Sequence, residues 1–358
     1  MDAYAAAPVI HRAHDALQQF ATALFNSAGL DADKANSVAA NLVLTDMMGR
    51  ATHGLAQCGA YLDEIVNGNM TKSGAPQIVR DTGSTIVWDG NYLPGLWLMD
   101  RALSVGFERL PQHGVVTFSI RRSHHIGCLA AIAKHATDKG YLAMIASSGP
   151  HTKAVAPFGG KQGLFSPNPF AIGFPTTSSA VLVDICASLT TVSMVRERTA
   201  ANQPLDYAWV LDSTGRPTCD PSVIERANDR GSLLLLGGAE AGHKGFGLAL
   251  MVEALTQGLS GFGRKDQPMR WGAGVYLQLM DPQAFAGHDA FIEQTGFFAD
   301  ECRANPAIDP DRPVRLPGEQ AQSSIERCRV EGVPISAVTD RSLREWADKL
   351  GVDASVLN

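Results

Sequence analysis

Between Gln77 and Ile185, short apolar runs alternate with segments of helical length, and this alternation limits the fold more than any other feature of the chain. Thr85–Trp88 reads as a strand closed by Asp89-Gly90, Val115–Ile120 and Leu142–Ala146 as two more, and Phe170–Phe174 and Val181–Ile185 as further short apolar runs. Leu96–Leu110 and Cys128–Thr137, lying between them, carry helical periodicity. Strands separated by helices define an α/β core, because each helix covers a sheet face that would otherwise meet water.

Helical segments flank this core. Val9–Ser27 and Asp31–Met48 each place apolar residues on one face, with Ala39, Leu42 and Val43 as a stripe in the second, and a further helical stretch runs to Ile65. Gly274–Met280 is a strand, Ala284–Cys302 is mainly helical and Ser336–Leu350 is largely a helix. Residues 150–169 and Asn305–Gln322 are loops, and Ala187–Asp229 is turn-rich and polar. The expected organisation is a helical region over 1–75, an α/β core over 76–320, and a C-terminal helical segment over 321–358 that packs with the N-terminal one.

Composition removes several classes of function. Net charge is −6 and no Lys/Arg-rich block occurs, which argues against nucleic acid as a partner. No apolar run approaches membrane-spanning length, and Met1 to Tyr4 open no signal peptide, so a cytoplasmic protein is expected. The six cysteines form no C-x-x-C pair and read as reduced, mostly buried thiols. No metal site is expected, since His125 with Cys128 lacks further ligands at sensible spacing.

Six motifs are candidates to carry chemistry. Gly242-His243-Lys244-Gly245-Phe246-Gly247 precedes Leu248–Leu255, an apolar segment read as a buried helix. A cation and bare backbone at a helix start suit an anion such as phosphate, although a solvated lysine before a glycine turn reads equally well. Arg121-Arg122-Ser123-His124-His125-Ile126-Gly127 follows a strand and precedes a helix, where α/β folds place ligands. Its histidines could protonate a carbonyl oxygen, or the stretch is a capping serine with two surface imidazoles. Thr52-His53-Gly54 sets a hydroxyl beside an imidazole, in a donor pair or an ordinary helix break. Asp184, at the end of an apolar strand, could accept from hydroxyls or simply occupy a turn. In Ser166-Pro167-Asn168-Pro169 the prolines are expected to hold Asn168 extended, as an orienting amide or a stiff loop. The Arg315-Leu316-Pro317-Gly318-Glu319 turn says little by itself. There is no G-x-G-x-x-G after a strand, no P-loop and no G-x-S-x-G.

Taken in order, these pieces resemble the type-2 malate/L-lactate dehydrogenase family, whose relatives include ureidoglycolate, sulfolactate and diketogulonate dehydrogenases and Δ1-piperideine-2-carboxylate reductases. The series runs through Thr52-His53-Gly54, Tyr61, Ser123-His124-His125-Ile126-Gly127, residues 155–160, Asn168-Pro169, Asp184 with Ser188, Asp212 with Gly215, His243 to Leu248 and Leu316 to Glu319, so it spans about residues 15 to 350. The resemblance implies a non-Rossmann nicotinamide-binding α/β core with a mixed sheet, flanked by a helical substrate and dimerisation region built from both chain ends. It implies a homodimer that moves a hydride reversibly between NAD or NADP and a 2-oxo acid. A cyclic imine substrate is one alternative, and a binding homologue with impaired catalysis another. His125 matches the family's acid/base histidine, with His53 and Thr52 as second candidate and partner. Gln57, Asn168 and Arg121 are the expected substrate contacts. His124, Gly127, Ser148, Asp184, Ile185, Cys186, Ser188, His243, Lys244, Arg315, Gly318 and Glu319 are the expected cofactor contacts.

Three positions depart from the family pattern. Gln57 stands where many members carry a carboxylate-gripping arginine. Ser166-Pro167-Asn168-Pro169 replaces a T-N-P sequence, and Ser193-Met194 replaces a G-K pair. These changes point to an unusual substrate or to weakened activity.

Overall fold

The computed structural model describes residues 9–357, so the expectation drawn from Met1 to Tyr4 lies outside the described residues. In chain order the elements are β1 (Val9–Arg12), α1 (His14–Ser27), α2 (Ala32–Met47), α3 (Cys58–Val66), β2 (Gln77–Asp81), β3 (Thr85–Asp89), α4 (Gly95–His113), β4 (Val115–Ser123), α5 (Leu129–Thr137), β5 (Leu142–Ser148), β6 (Pro169–Phe174), β7 (Val181–Cys186), α6 (Val192–Ala200), β8 (Val210–Leu211), β9 (Pro217–Thr218), β10 (Ser232–Leu233), α7 (Gly238–Ala241), α8 (His243–Glu253), β11 (Ala273–Met280), α9 (His288–Ala304), α10 (Glu319–Glu331), β12 (Val333–Ser336) and α11 (Ala337–Leu350).

The expected α/β architecture with a mixed sheet is present. Seven strands lie in the order β2-β3-β4-β11-β5-β6-β7. Only β3 and β4 run parallel, pairing Thr85 with Thr117 through Asp89 with Arg121, and all other neighbours are antiparallel. The central strands bury Phe118, Ile120, Ile145, Val275 and Leu277, while Thr117, Arg121 and Arg122 of β4 are only half-buried. One core runs without interruption from the N-terminal helices (Leu17, Phe20, Leu42) through α4, α5 and the sheet to Ile325, Ile335 and Leu343 near the C-terminus. A second core, of Val195, Leu205, Val210, Val223, Ile224 and Leu233, sits under the short sheet β10-β8-β9.

Several local expectations are corrected. Val9–Arg12 is a strand and not the first turns of a helix. It pairs antiparallel with β12, joining Ile10 to Ile335, and this distant partner outweighs the local periodicity. β4 runs on to Ser123, three residues beyond the expected end, because the backbone of residues 90–93 follows it: Gly90 N donates to Arg121 O, and His124 N to Leu93 O. The turn-rich stretch after Ala187 contains α6, capped by Thr191, whose hydroxyl accepts from Met194 N. The Asn305–Gln322 loop ends at Gly318, where α10 begins.

The helix after Gly242 also differs from its sequence reading. α7 is a single turn that leads directly into α8, and the amides of Gly245 and Phe246 already donate to Leu236 O and Gly242 O. Lys244 therefore follows a helical turn and does not stand at a free helix start. The helix is not buried all round either: Ala249 and Val252 face inward, while Leu250 and Met251 are 48% and 40% exposed. Apolar composition alone could not tell a covered face from an uncovered one.

Candidate active site

Four segments bring imidazoles and aromatic rings together. The turn after α2 carries Thr52 and His53, α3 carries Tyr61 and Glu64, the segment after β4 carries His124 and His125, and the segment before β11 carries Trp271. Two glycines permit the close approaches involved. A Cβ on Gly95 would lie 2.4 Å from both His124 O and His125 O, so only bare backbone lets α4 begin against that segment. A Cβ on Gly54 would lie 2.2 Å from Asp46 Oδ1, and Asp46 Oδ2 accepts Leu55 N at 2.8 Å. Burial pushes the Asp46 carboxyl up to about 7. This α2 side chain thereby fixes the turn that presents His53.

His125 is the centre of the cluster. Its Nδ1 lies 2.7 Å from the Tyr61 hydroxyl, and its ring stacks on Trp271 with centroids 5.3 Å apart. The His53 ring is 5.9 Å away. Burial, together with the neighbouring His53, His124 and His151, pushes His125 down to about 3, so the imidazole is neutral at physiological pH. Burial raises the Tyr61 hydroxyl well above its ordinary value and keeps it a phenol. His53 is also lowered by burial, against an opposing pull from Asp184 and with help from Arg50. Its Nδ1 lies 3.0 Å from Thr52 Oγ1. His124 is fully buried, its Nε2 3.4 Å from Glu64 Oε2 and its Nδ1 without a partner among the described residues. The Nδ1 of His151 is likewise unpartnered.

The candidate residues read from the sequence divide into groups. Thr52, His53, His124 and His125 meet, and Gln57 joins them at the back, where its Nε2 donates to Thr52 O at 2.7 Å. Asp184 lies inside β7 rather than at its end, and its Oδ2 accepts Ala130 N at 3.0 Å, capping α5 just beyond Gly127. Its charge reaches His53 and Cys128. Burial and the neighbouring Asp184 push the Cys186 thiol up to about 12. Ile185 is exposed, and Ser188 donates to Thr190 O within a buried turn.

Other candidates are engaged elsewhere. Arg121 Nε donates to Asp89 Oδ2 at 2.9 Å, and Arg122 closes on the same buried carboxylate at 2.6 Å, so neither guanidinium replaces the charge missing at Gln57. Asn168 is not extended: its φ is +47°, and its side chain is fully buried. The amide accepts from Ser166 Oγ at 2.6 Å and donates to Glu253 Oε1 at 2.9 Å, which leaves it no free edge for a substrate. Ser148 joins the same network, donating to Glu253 Oε1 and accepting from Gln257 and Arg264. His243 and Lys244 stand exposed on α8.

Arg315 and Gly318 line a cleft of about 900 Å3 between the end of α2, at Met48 to Arg50, and the loop 305–318. Pro317 O accepts Leu182 N at 2.9 Å, which sets this turn against β7 two residues from Asp184. Glu319 is held by Arg303 at 2.6 Å.

Sequence reasoning placed no site role on Trp271, Glu64, His151 or Arg50. Trp271 lies between a polar loop and a strand, and nothing local marks its ring as a wall for two histidines. Tyr61 fell in the ordered series, but its hydroxyl could be assigned only once the fold brought α3 to the segment after β4.

The site thus holds a neutral, buried imidazole against a phenol, in the segment that follows a strand of a mixed sheet without a glycine-rich dinucleotide loop. The Malate/L-lactate dehydrogenase family model matches residues 13–344. Hydroxycarboxylate dehydrogenase B of Escherichia coli is 28% identical over 348 residues, which cover 95% of this chain and 94% of that one. A (2R)-3-sulfolactate dehydrogenase (NADP(+)) of Chromohalobacter salexigens is 29% identical over 339 residues, with coverages of 92% and 96%. Malate dehydrogenase from Entamoeba histolytica shares the fold, with a TM-score of 0.90 at 21% identity over 97% of this chain and 100% of that one. The chain belongs to the malate/L-lactate dehydrogenase family and is an oxidoreductase.

Proposed function

We propose that this enzyme oxidises a small 2-hydroxy acid, and reduces the matching 2-oxo acid, with NAD or NADP as hydride partner and His125 as the acid/base. The observation that carries the reading is the Tyr61–His125 contact inside a cluster of neutral imidazoles. The residues present also fit a dinucleotide. The cleft beside Gly318 has the volume of a cofactor site and four guanidiniums on its walls, and one relative is named for NADP(+).

When bound, the nicotinamide would accept or supply the hydride at the substrate carbon. The protein's own task is to handle the proton and the carboxylate. For reduction, His125 starts as the imidazolium: Nε2–H gives its proton to the carbonyl oxygen as that oxygen gains charge, and the ring returns to neutral with Nδ1–H donating to the Tyr61 hydroxyl. If Nδ1–H donates to Tyr61, Nε2 is bare and accepts the hydroxyl proton. One imidazole thus serves both directions by passing between the neutral Nδ1–H form and the imidazolium. Burial keeps it uncharged until a substrate carboxylate arrives and favours the imidazolium. Thr52 and His53 form a second donor pair for the substrate oxygens. Trp271 and Tyr61 wall the site, excluding bulk water and holding the His125 ring at a fixed tilt. The helices of the two chain ends are proposed to supply the dimer face.

The test is a panel of 2-hydroxy acids, 2-oxo acids and cyclic imine carboxylates, followed at the NAD(P)H absorbance band for wild type and His125→Ala. Turnover of the hydroxy and oxo acids is expected, lowered by roughly two to four orders of magnitude in the variant, as for loss of a general acid/base, with nucleotide binding retained. Wild-type turnover by His125→Ala would remove the acid/base role. Consumption with imines alone would replace the substrate class.

A further inference from the structure

The cleft beside the histidine cluster has a charge pattern that the reaction by itself does not require. Its walls carry Arg50, Arg312, Arg315 and Arg327 against a single carboxylate, Asp309. Among the described residues none of the four guanidiniums forms an ion pair or a side-chain hydrogen bond. Nearby Arg303 is tied to Glu319 and Asp300, and Arg12 to Asp340. Glu319, the carboxylate that could have neutralised Arg315, is held by Arg303 at 2.6 Å and by Leu316 N at 2.9 Å. Four like charges gathered in one concavity repel each other, and they are stabilised when an anion of high charge density enters.

All four cations are arginines. A planar guanidinium grips a phosphate through two parallel N–H donors, which a point-charge lysine cannot do. The cleft also adjoins the reacting end of the site. It begins at Met48 to Arg50, three residues before His53, and the charge of Arg50 acts on both His53 and Cys128. At its other side, Gly318 sits against β7, where a Cβ would meet Ala180 O and Leu182 N at 3.0 Å.

From this arrangement we infer that the arginine cleft takes the 2′-phosphate on the adenosine end of the dinucleotide, and that the enzyme selects NADP(H) over NAD(H). The inference rests on the dinucleotide reading given above. A ribose 2′-hydroxyl gains little from four cations that share one carboxylate of the cleft. A phosphomonoester of charge near −2 gains charge-assisted hydrogen bonds from several of them.

The experiment measures dissociation constants for NADPH, NADH and 2′,5′-ADP by fluorescence titration and calorimetry. The proteins are wild type, Arg312→Ala, Arg315→Ala and the triple variant Arg312→Ala/Arg315→Ala/Arg327→Ala. All three side chains are exposed, so folding is retained, and thermal melts check it. Arg226→Ala, which breaks an exposed pair with Asp220 outside the cleft, is the control. NADPH is expected to bind at least about tenfold tighter than NADH, each single variant to cut that ratio roughly threefold, and the triple variant to abolish it. The control should leave the ratio unchanged, and 2′,5′-ADP should compete with NADPH and lose affinity in step with it. Equal affinity for NADPH and NADH, or a preference that survives the triple variant, overturns the inference and leaves the dehydrogenase reading standing. If neither dinucleotide binds wild type, both fall.

Discussion

At the scale of single residues, His125 sets the behaviour of the site. An exposed histidine titrates near 6.5, but burial among His53, His124 and His151 moves this one down to about 3. The sign follows directly: a lowered pKa keeps the neutral base in place as pH falls through 6.5, and the base is lost only as pH approaches the folded value. The value of kcat/KM for oxidation of a hydroxy acid should therefore stay level from pH 8 down to about 5, with no break near 6.5. A steady-state pH profile checks this, and a tenfold fall per unit beginning at 6.5 would show that His125 titrates as a solvated imidazole. The candidacies of His53 and His125 were legible in the sequence because each lies in a short motif beside a glycine. The tie of Arg121 to Asp89 was not legible, because it depends on β3 and β4 running parallel in one register.

At the scale of elements, the support behind the loop 149–168 is a polar network and not an apolar one. Arg264 donates to Glu253, Ser148, Thr152 O and Pro150 O, and Glu253 in turn holds Asn168. Both charged partners are mostly buried, with side-chain exposures of 16% and 17%. Removing the guanidinium would strand Glu253 and free the loop. Arg264→Ala is expected to lower the unfolding free energy by about 2–4 kcal/mol and to speed proteolysis within 150–165. Arg264→Lys should recover less than half of that loss, since one ammonium cannot serve five acceptor directions. Chemical denaturation and limited proteolysis read both effects, and full rescue by lysine would show that only the charge matters. Pro167 and Pro169 were read as holding Asn168 extended, yet its backbone turns left-handed so that its amide reaches Glu253. The local restriction from two prolines was outweighed by burial of a polar side chain that needs partners.

At the scale of the whole molecule, the two ends of the chain are clasped. β1 pairs with β12, Arg12 with Asp340, and the helices α1, α2, α10 and α11 share one core with the sheet. Ile335 is 2% exposed at the centre of this clasp, far from the histidines in sequence but in the same core. Ile335→Ala should cost about 2–5 kcal/mol in equilibrium unfolding, within a single transition that circular dichroism and the fluorescence of the five tryptophans report together. Two separate transitions would show instead that the ends fold as a unit of their own. Packing of the C-terminal helix against the N-terminal region was expected from sequence. The strand pairing that locks the two was not, because a four-residue strand has no periodicity that separates it from the start of a helix.

The sequence by itself determined the succession of strands and helices, the lack of a glycine-rich dinucleotide loop and the ordered motifs that mark the family. Each is written within a window of about ten residues, where burial period and turn chemistry act. Tertiary structure alone decided which side chains meet. Tyr61 reaches His125 across 64 positions, and Ser148 reaches Glu253 across 105. It also decided charge, since a histidine held at about 3 and four arginines gathered against one carboxylate in one cleft arise from who surrounds each group, and that is settled only when distant segments close on a common core.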